Sequence, residues 1–223
     1  PILSKSYIND VIFTDKIAWV ATSNGLFKIK LTQTPFVSYL KTPKNASETT
    51  NACRGIITIN DTLYVNISDD KKPHFIDLKT GETGKMIFPE SKIDLSYPQV
   101  LYKDQKDNLW FTAYDAVKYN LQTKTTTDYI KNQAIFSSFW SIYEEKNGTL
   151  WFGGDKGIGS LDEYQDSIKI FTAKPPFEAL NKQTVYQFME LSPDRIMLAT
   201  VGGFYELTPS KNKIIKRYWT GEI

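Results

Sequence analysis

Five large residues, Trp19, Tyr64, Trp110, Trp151 and Met197, recur along this chain at separations of 45, 46, 41 and 46 residues. Around each the same grammar returns: an apolar run, a turn of Asp, Asn or Gly, the run carrying the large residue, a second turn, then two further runs. Short runs rich in β-branched and aromatic residues and bounded by turn formers read as antiparallel strands. A repeat of this length is that of a propeller blade, a four-stranded antiparallel sheet. Such a unit cannot bury its apolar faces alone, so stacking on its neighbours decides the fold. The chain therefore reads as all-β, a β-propeller of four-stranded antiparallel blades with five repeats. The expected blades span 6–41, 52–90, 97–131, 138–173 and 183–219 within one domain over 1–223. They fit a five-bladed ring or a fragment of a larger propeller.

The clearest repeat is Asn147-Gly148-Thr149-Leu150-Trp151-Phe152-Gly153-Gly154-Asp155-Lys156-Gly157-Ile158. Asn-Gly between apolar runs predicts a type I′ hairpin with both residues at positive φ. The glycines that follow read as turn residues, and the large residue of each repeat as a wedge between neighbouring sheets. In the divergent second unit Lys85-Met86-Ile87-Phe88 is expected as the fourth strand, and 41–51 as an exposed polar loop. No run shows a capped 3.6-residue period, so helix content should be negligible.

Several function classes are disfavoured. A net charge of +2 is too weak to argue for a nucleic-acid or membrane-surface partner. No apolar run is long enough to span a membrane as a helix. One cysteine, Cys53, excludes an internal disulfide, and with His74 as the one histidine no zinc site follows without carboxylates. No metal, cofactor or catalytic residue is expected. Asp104 to Asn108 clusters carboxylates without the spacing of a calcium loop and reads as a hairpin turn. Gly153 to Gly157 opens no helix, so it is no phosphate cradle. The first residue is proline rather than methionine, as expected of a processed or excised segment.

The pattern of acidic or amide turn, Leu or Ile, Trp, a small residue and a turn glycine resembles the two-component regulator propeller repeat. The best matches are 17–26, 107–112 and 147–153, while Tyr64 and Met197 replace Trp in the second and fifth units. The resemblance implies the periplasmic sensor region of a hybrid two-component system of the kind common in Bacteroidetes. Such sensors detect oligosaccharides and signal through a membrane helix to a kinase. Their propellers are usually seven-bladed and followed by an immunoglobulin-like domain. This sequence shows five units and no such trailing parts.

Function should sit where the loops entering each blade and those joining strands two and three share one face near the axis. Arg54, Tyr97, Tyr114, Trp140, Asp155 and Tyr186 are the candidates there. Aromatic faces can stack on sugar C–H surfaces while Arg and Asp supply directional hydrogen bonds. The expected partners are an oligosaccharide ligand, a homodimer mate or a signalling partner domain, with neither nucleic acid nor membrane contact within this segment. A protein-interaction scaffold and a five-bladed glycoside hydrolase are the other two readings. For the hydrolase, Asp10 and Glu144 are the acids near axial strand starts, without a recognisable cluster. An unclosed arc of blades would expose two apolar faces, so a closed ring or an associated partner is expected.

Overall fold

Each blade opens with a hairpin whose turn needs one residue in the left-handed region. Asp15, Asn60, Asp107, Gly148 and Asp194 fill that place, with φ between 50° and 88°. Asp, Asn and Gly are the residues that adopt it at least cost. The turn expected at Asn147-Gly148 is corrected in detail. Only Gly148 has positive φ, Gly148 N–H bonds back to Glu145 C=O, and Asn147 Oδ1 accepts from Thr149 N–H. Pairing of Glu145 with Thr149 leaves three residues in the loop, which suits a turn closed by a left-handed glycine rather than type I′.

The computed structural model describes residues 6–30, 37–39, 52–68, 72–88, 97–129, 136–171, 177–209 and 213–218. Blade 1 comprises β1 (Ile8–Thr14), β2 (Ile17–Thr22), β3 (Gly25–Lys30) and β4 (Val37–Tyr39). Blade 2 comprises β5 (Cys53–Ile59), β6 (Thr62–Ile67), β7 (His74–Asp77) and β8 (Thr83–Lys85). Blade 3 comprises β9 (Val100–Lys103), β10 (Asn108–Thr112), β11 (Ala116–Asn120) and β12 (Thr126–Tyr129). Blade 4 holds β13 (Phe139–Glu144), β14 (Leu150–Gly154), β15 (Gly157–Asp162) and β16 (Ser167–Ile170). Blade 5 holds β17 (Val185–Ser192), β18 (Arg195–Thr200), β19 (Gly203–Thr208) and β20 (Lys213–Tyr218). In every blade the strands pair antiparallel in chain order, giving five four-stranded sheets in a ring around a common axis. The first strand of each blade is innermost. The regular helical element described is a single 3-10 turn at Phe177–Leu180.

Two expectations shift. β8 ends at Lys85, and beyond it Met86 and Phe88 pack inward instead of extending a strand, while Ile87 stays exposed. Met86 is buried, and the Phe88 ring lies edge-on to Phe111 at 5.0 Å and to Tyr119 at 5.6 Å. They plug the joint between blades 2 and 3. The expected loop at 41–51 and the first five residues lie outside the described residues.

The large residue of the second strand faces the next blade. Trp19 packs with Ile56 and Val65 of blade 2, Tyr64 with Leu109 and Phe111 of blade 3, Trp110 with Phe152 of blade 4, and Trp151 with Leu198 and Tyr205 of blade 5. Four joints are thus filled by four apolar clusters. Among the described residues no such cluster spans blades 5 and 1. Phe13 of β1 is 68% exposed and Met189 of β17 is 55% exposed, with Val11, Leu191 and Phe204 also open to solvent. Positions equivalent to Val11 in the next two blades, Ile56 and Leu101, are buried. Among the described residues the joint between blades 5 and 1 is open, and Met197 meets no facing blade there.

Candidate functional site

The inner strands build the site through one repeated irregularity. In β1, β5, β13 and β17 the register slips by one residue near the strand start, leaving Asn9, Gly55, Trp140 and Tyr186 as the extra residues of β-bulges. A bulge bends the strand and re-aims a side chain. All four line a single axial cavity of about 450 Å³. Gly55 is held to glycine by crowding: its φ is 59°, and a Cβ would come within 2.7 Å of Leu101 N. β9 has no bulge and contributes Gln99 just before its start. All five blades therefore reach one cup.

Of the six candidates read from sequence, the structure brings three together in that cup: Arg54, Trp140 and Tyr186. The Trp140 and Tyr186 rings stand edge to face, 5.4 Å between centroids. Arg54 Nη1 donates to Gln99 Oε1 at 2.6 Å across the joint between blades 2 and 3. The other three lie elsewhere. Tyr97 and Tyr114 pair edge to face at 6.1 Å, partly exposed, with Tyr97 at φ 57°. Tyr97 is tied to the cup through Gln99, whose Nε2 donates to Tyr97 C=O at 3.2 Å. Asp155 accepts from Ser137 N–H at 2.7 Å and Ser138 N–H at 3.3 Å, so it pins the segment entering blade 4. The cup also contains Asn9, Asp10 and Gln187, which sequence reasoning did not single out as binding groups. The bulge has no sequence signal of its own, and Gly55 is the sole hint of one.

Asp10 and Glu144 are not neighbours in function. Asp10 Oδ1 accepts from Val11 N–H at 2.9 Å and Oδ2 from Ile56 N–H at 3.4 Å, which ties blade 1 to blade 2 at the cup wall. Glu144 ends its strand rather than starting it. Its Oε2 accepts from Gln105 N–H at 3.0 Å, locking blade 4 to the first turn of blade 3. Tyr143 OH donates to Glu190 Oε2 at 3.2 Å, a similar tie one joint further on. Burial and the facing carboxylates push the Tyr102 and Tyr143 hydroxyls up to about 12. Beside the second tie lies a cavity of about 380 Å³ lined by Tyr143, Glu145, Glu190 and Asp194. Among the described residues no group of three or more His, Cys, Asp or Glu is placed to hold a metal ion. Burial pushes the Cys53 thiol up to about 12, so it is no nucleophile at neutral pH.

Burial also raises the Glu144 carboxyl above its ordinary value. The folded chain therefore holds this proton more tightly than the unfolded chain, and the stability tied to it is lost as pH rises through the raised value. Glu144→Gln keeps an acceptor for Gln105 N–H and removes the titration. Melting temperatures between pH 4 and 7 should fall less with rising pH in the variant than in the native protein. A steeper fall in the variant would show that the charged form is the stabilised one.

Residues 135–156 match the sequence model of the family described as two component regulator propeller. No curated protein is similar enough in sequence to match. Among solved structures, the extracellular domain assigned to the one component system BT4673 of B. thetaiotaomicron is similar at 14% identity and TM-score 0.73, covering 97% of this chain and 29% of that one. The extracellular domain assigned to the hybrid two component system BT3049 of the same organism is 17% identical, with TM-score 0.73 and the same coverage of 97% and 29%. PorZ, a surface component of the type-IX secretion system of Porphyromonas gingivalis, is 15% identical, with TM-score 0.71 and coverage of 97% and 34%. The chain spans about a third or less of the length of these structures. At these identities the likeness is one of fold. Among the described residues no helix is long and apolar enough to cross a membrane.

Proposed function

We propose that this propeller, whose fourth blade carries the two component regulator propeller signature, is a non-catalytic sensor of oligosaccharides in the periplasm or outside the cell. The observation that carries the reading is the axial cup. Four bulges and the start of β9 converge amides, one guanidinium and an aromatic pair on one polar cavity of about 450 Å³. A cavity of that size suits a ligand of a few sugar rings. The edge-to-face Trp140–Tyr186 pair supplies an aromatic wall, and Asn9, Gln99 and Gln187 supply directional partners for hydroxyls. The extracellular domains of one and two component systems that share the fold support the sensor part of the reading and name no ligand.

Hydrolysis fits the cup less well. A glycosidase needs two carboxylates flanking the bond, about 5–9.5 Å apart. The cup lining holds a single one, Asp10, already engaged by two backbone amides, and Glu144 serves a blade joint at the other end of its strand.

Calorimetry and thermal shift against an oligosaccharide panel test the reading. A binding oligosaccharide should raise the melting temperature without being cleaved. Trp140→Ala should weaken it about tenfold or more, which corresponds to ~1.4 kcal/mol. Turnover would overturn the non-catalytic reading. Silence against every glycan would favour the second reading, a propeller that binds a signalling partner or a second copy. The exposed faces of blades 1 and 5 speak for that second reading, because apolar patches of this kind mark interaction surfaces.

A further inference from the structure

Resting on the reading of the cup as an oligosaccharide site, we propose that it selects acidic sugars, with Arg54 as the anchor for a sugar carboxylate. The charges of the cup wall are unequal in availability. Asp10 spends both oxygens on backbone N–H groups of Val11 and Ile56, which are fixed by the strands themselves. Arg54 has no such commitment. Its guanidinium carries five donors. Gln99 Oε1 takes one of them, and no carboxylate among the described residues lies within ion-pairing distance of it.

The single neutral bond sets the plane of the guanidinium without neutralising it. Arg54 is half-buried at the residue before the Gly55 bulge, so its reach into the cup is built into the backbone. A planar fork held this way matches a planar carboxylate through two parallel N–H···O bonds. The cup is polar and partly desolvated, where such a bond is stronger than on an open surface. Trp140 and Tyr186 lie on another part of the same wall, so one ring of the ligand can stack while its neighbour's carboxylate meets Arg54. Gln99 serves both ends of the arrangement, accepting from Arg54 and donating to Tyr97 C=O.

The test pairs acidic oligosaccharides, oligogalacturonides and oligoglucuronides, with their methyl esters, which keep shape and stacking but lose charge. A sulfated oligosaccharide of the same length is the third arm. Each is titrated by calorimetry into the native chain and into the Arg54→Gln and Arg54→Lys variants, whose melting temperatures report folding. The native chain should bind an acid at least tenfold tighter than its ester. Arg54→Gln should bring acid and ester within about twofold of each other, and Arg54→Lys, a point charge without the fork, should fall between. Ester binding equal to acid binding, a preference that survives in Arg54→Gln, or a sulfated ligand preferred over the carboxylate would each overturn the inference while leaving oligosaccharide sensing in place. Binding of neutral panel members alone would do the same. Failure of every sugar, acidic and neutral, would remove the sensing reading and this inference together.

Discussion

Trp110→Ala is expected to cost about 3–5 kcal/mol, the range for deleting a fully buried large aromatic. The ring is wholly shielded from solvent and lies 5.3 Å from both the Tyr129 and Phe152 rings, at the joint of blades 3 and 4. Its indole N–H donates to Asp104 Oδ2 at 2.8 Å, and Asp104 also accepts from Asn108 and from Lys106 N–H. The truncation thus opens a cavity between two sheets and strips one partner from a buried carboxylate. For a chain of this size each kcal/mol is about 2–4 °C, so the melting temperature should fall by roughly 6–20 °C. Met197→Ala is the paired experiment. Met197 occupies the same place in blade 5, but its cross-strand neighbours are the exposed Met189 and the charged Glu206, and no blade covers that face among the described residues. Met197 is only half-buried, so its loss should cost about 1–2 kcal/mol, clearly less than truncation of a fully buried side chain. Calorimetric unfolding reads both. Equal losses would refute the wedge as the unit of stability, or show the seam to be filled.

That contrast also marks where the sequence was legible. The recurrence of Trp19, Trp110 and Trp151 located three wedges because one large side chain per repeat is a strong periodic signal. It equally located Tyr64, yet could not show that no blade among the described residues faces Met197, since a missing partner leaves no mark on the residues that would meet it. The acid six residues before Trp110 and Trp151 was visible as turn chemistry. Its second task, accepting the indole N–H in both blades, becomes plain only when the hairpin is folded. Blade 1 has a two-residue turn with no such acid, and Trp19 Nε1 is buried without a hydrogen-bond partner among the described residues.

The site was less legible than the fold, for a physical reason. Strand alternation says which residues face the core, whereas a bulge inserts one residue and reverses that rule locally. Trp140 and Tyr186 could be chosen as aromatics near a strand start. Asn9, Asp10 and Gln187 are ordinary polar residues until the register slip turns the segment toward the axis. Asp155 misled in the opposite direction, because a carboxylate in an axial turn looks like a ligand group until Ser137 and Ser138 are seen to engage it.

Gly153 joins these two levels, and Gly153→Ala is expected to damage both. The residue is not turn chemistry, as the sequence suggested; it sits inside β14, opposite Ser141 and Ile158. An added Cβ would come within 2.8 Å of Val185 O and 2.9 Å of Val185 Cγ1, and would strike Ser141 Oγ. These are the atoms that hold blade 5 against blade 4, since Ser141 Oγ donates to Val185 C=O at 3.1 Å. A carbonyl in a strand cannot swing aside like a side-chain tip, so the inner strand of blade 5 must move outward. Overpacking of this kind costs about 1–3 kcal/mol. Val185 immediately precedes the Tyr186 bulge, and Ser141 immediately follows Trp140, so the same displacement separates the edge-to-face pair of the cup wall. If the cup binds oligosaccharide as proposed, the variant should therefore lose that affinity together with stability. Gly148→Ala is the control: no atom lies within 4 Å of its added Cβ, but its φ of 88° strains any side chain. That change should cost about 1 kcal/mol through the backbone alone and leave the near-ultraviolet signal of the aromatic pair intact. A Gly153→Ala protein with native stability and an unaltered aromatic signal would show that blades 4 and 5 do not meet at this strand, and that the cup wall is held by other contacts.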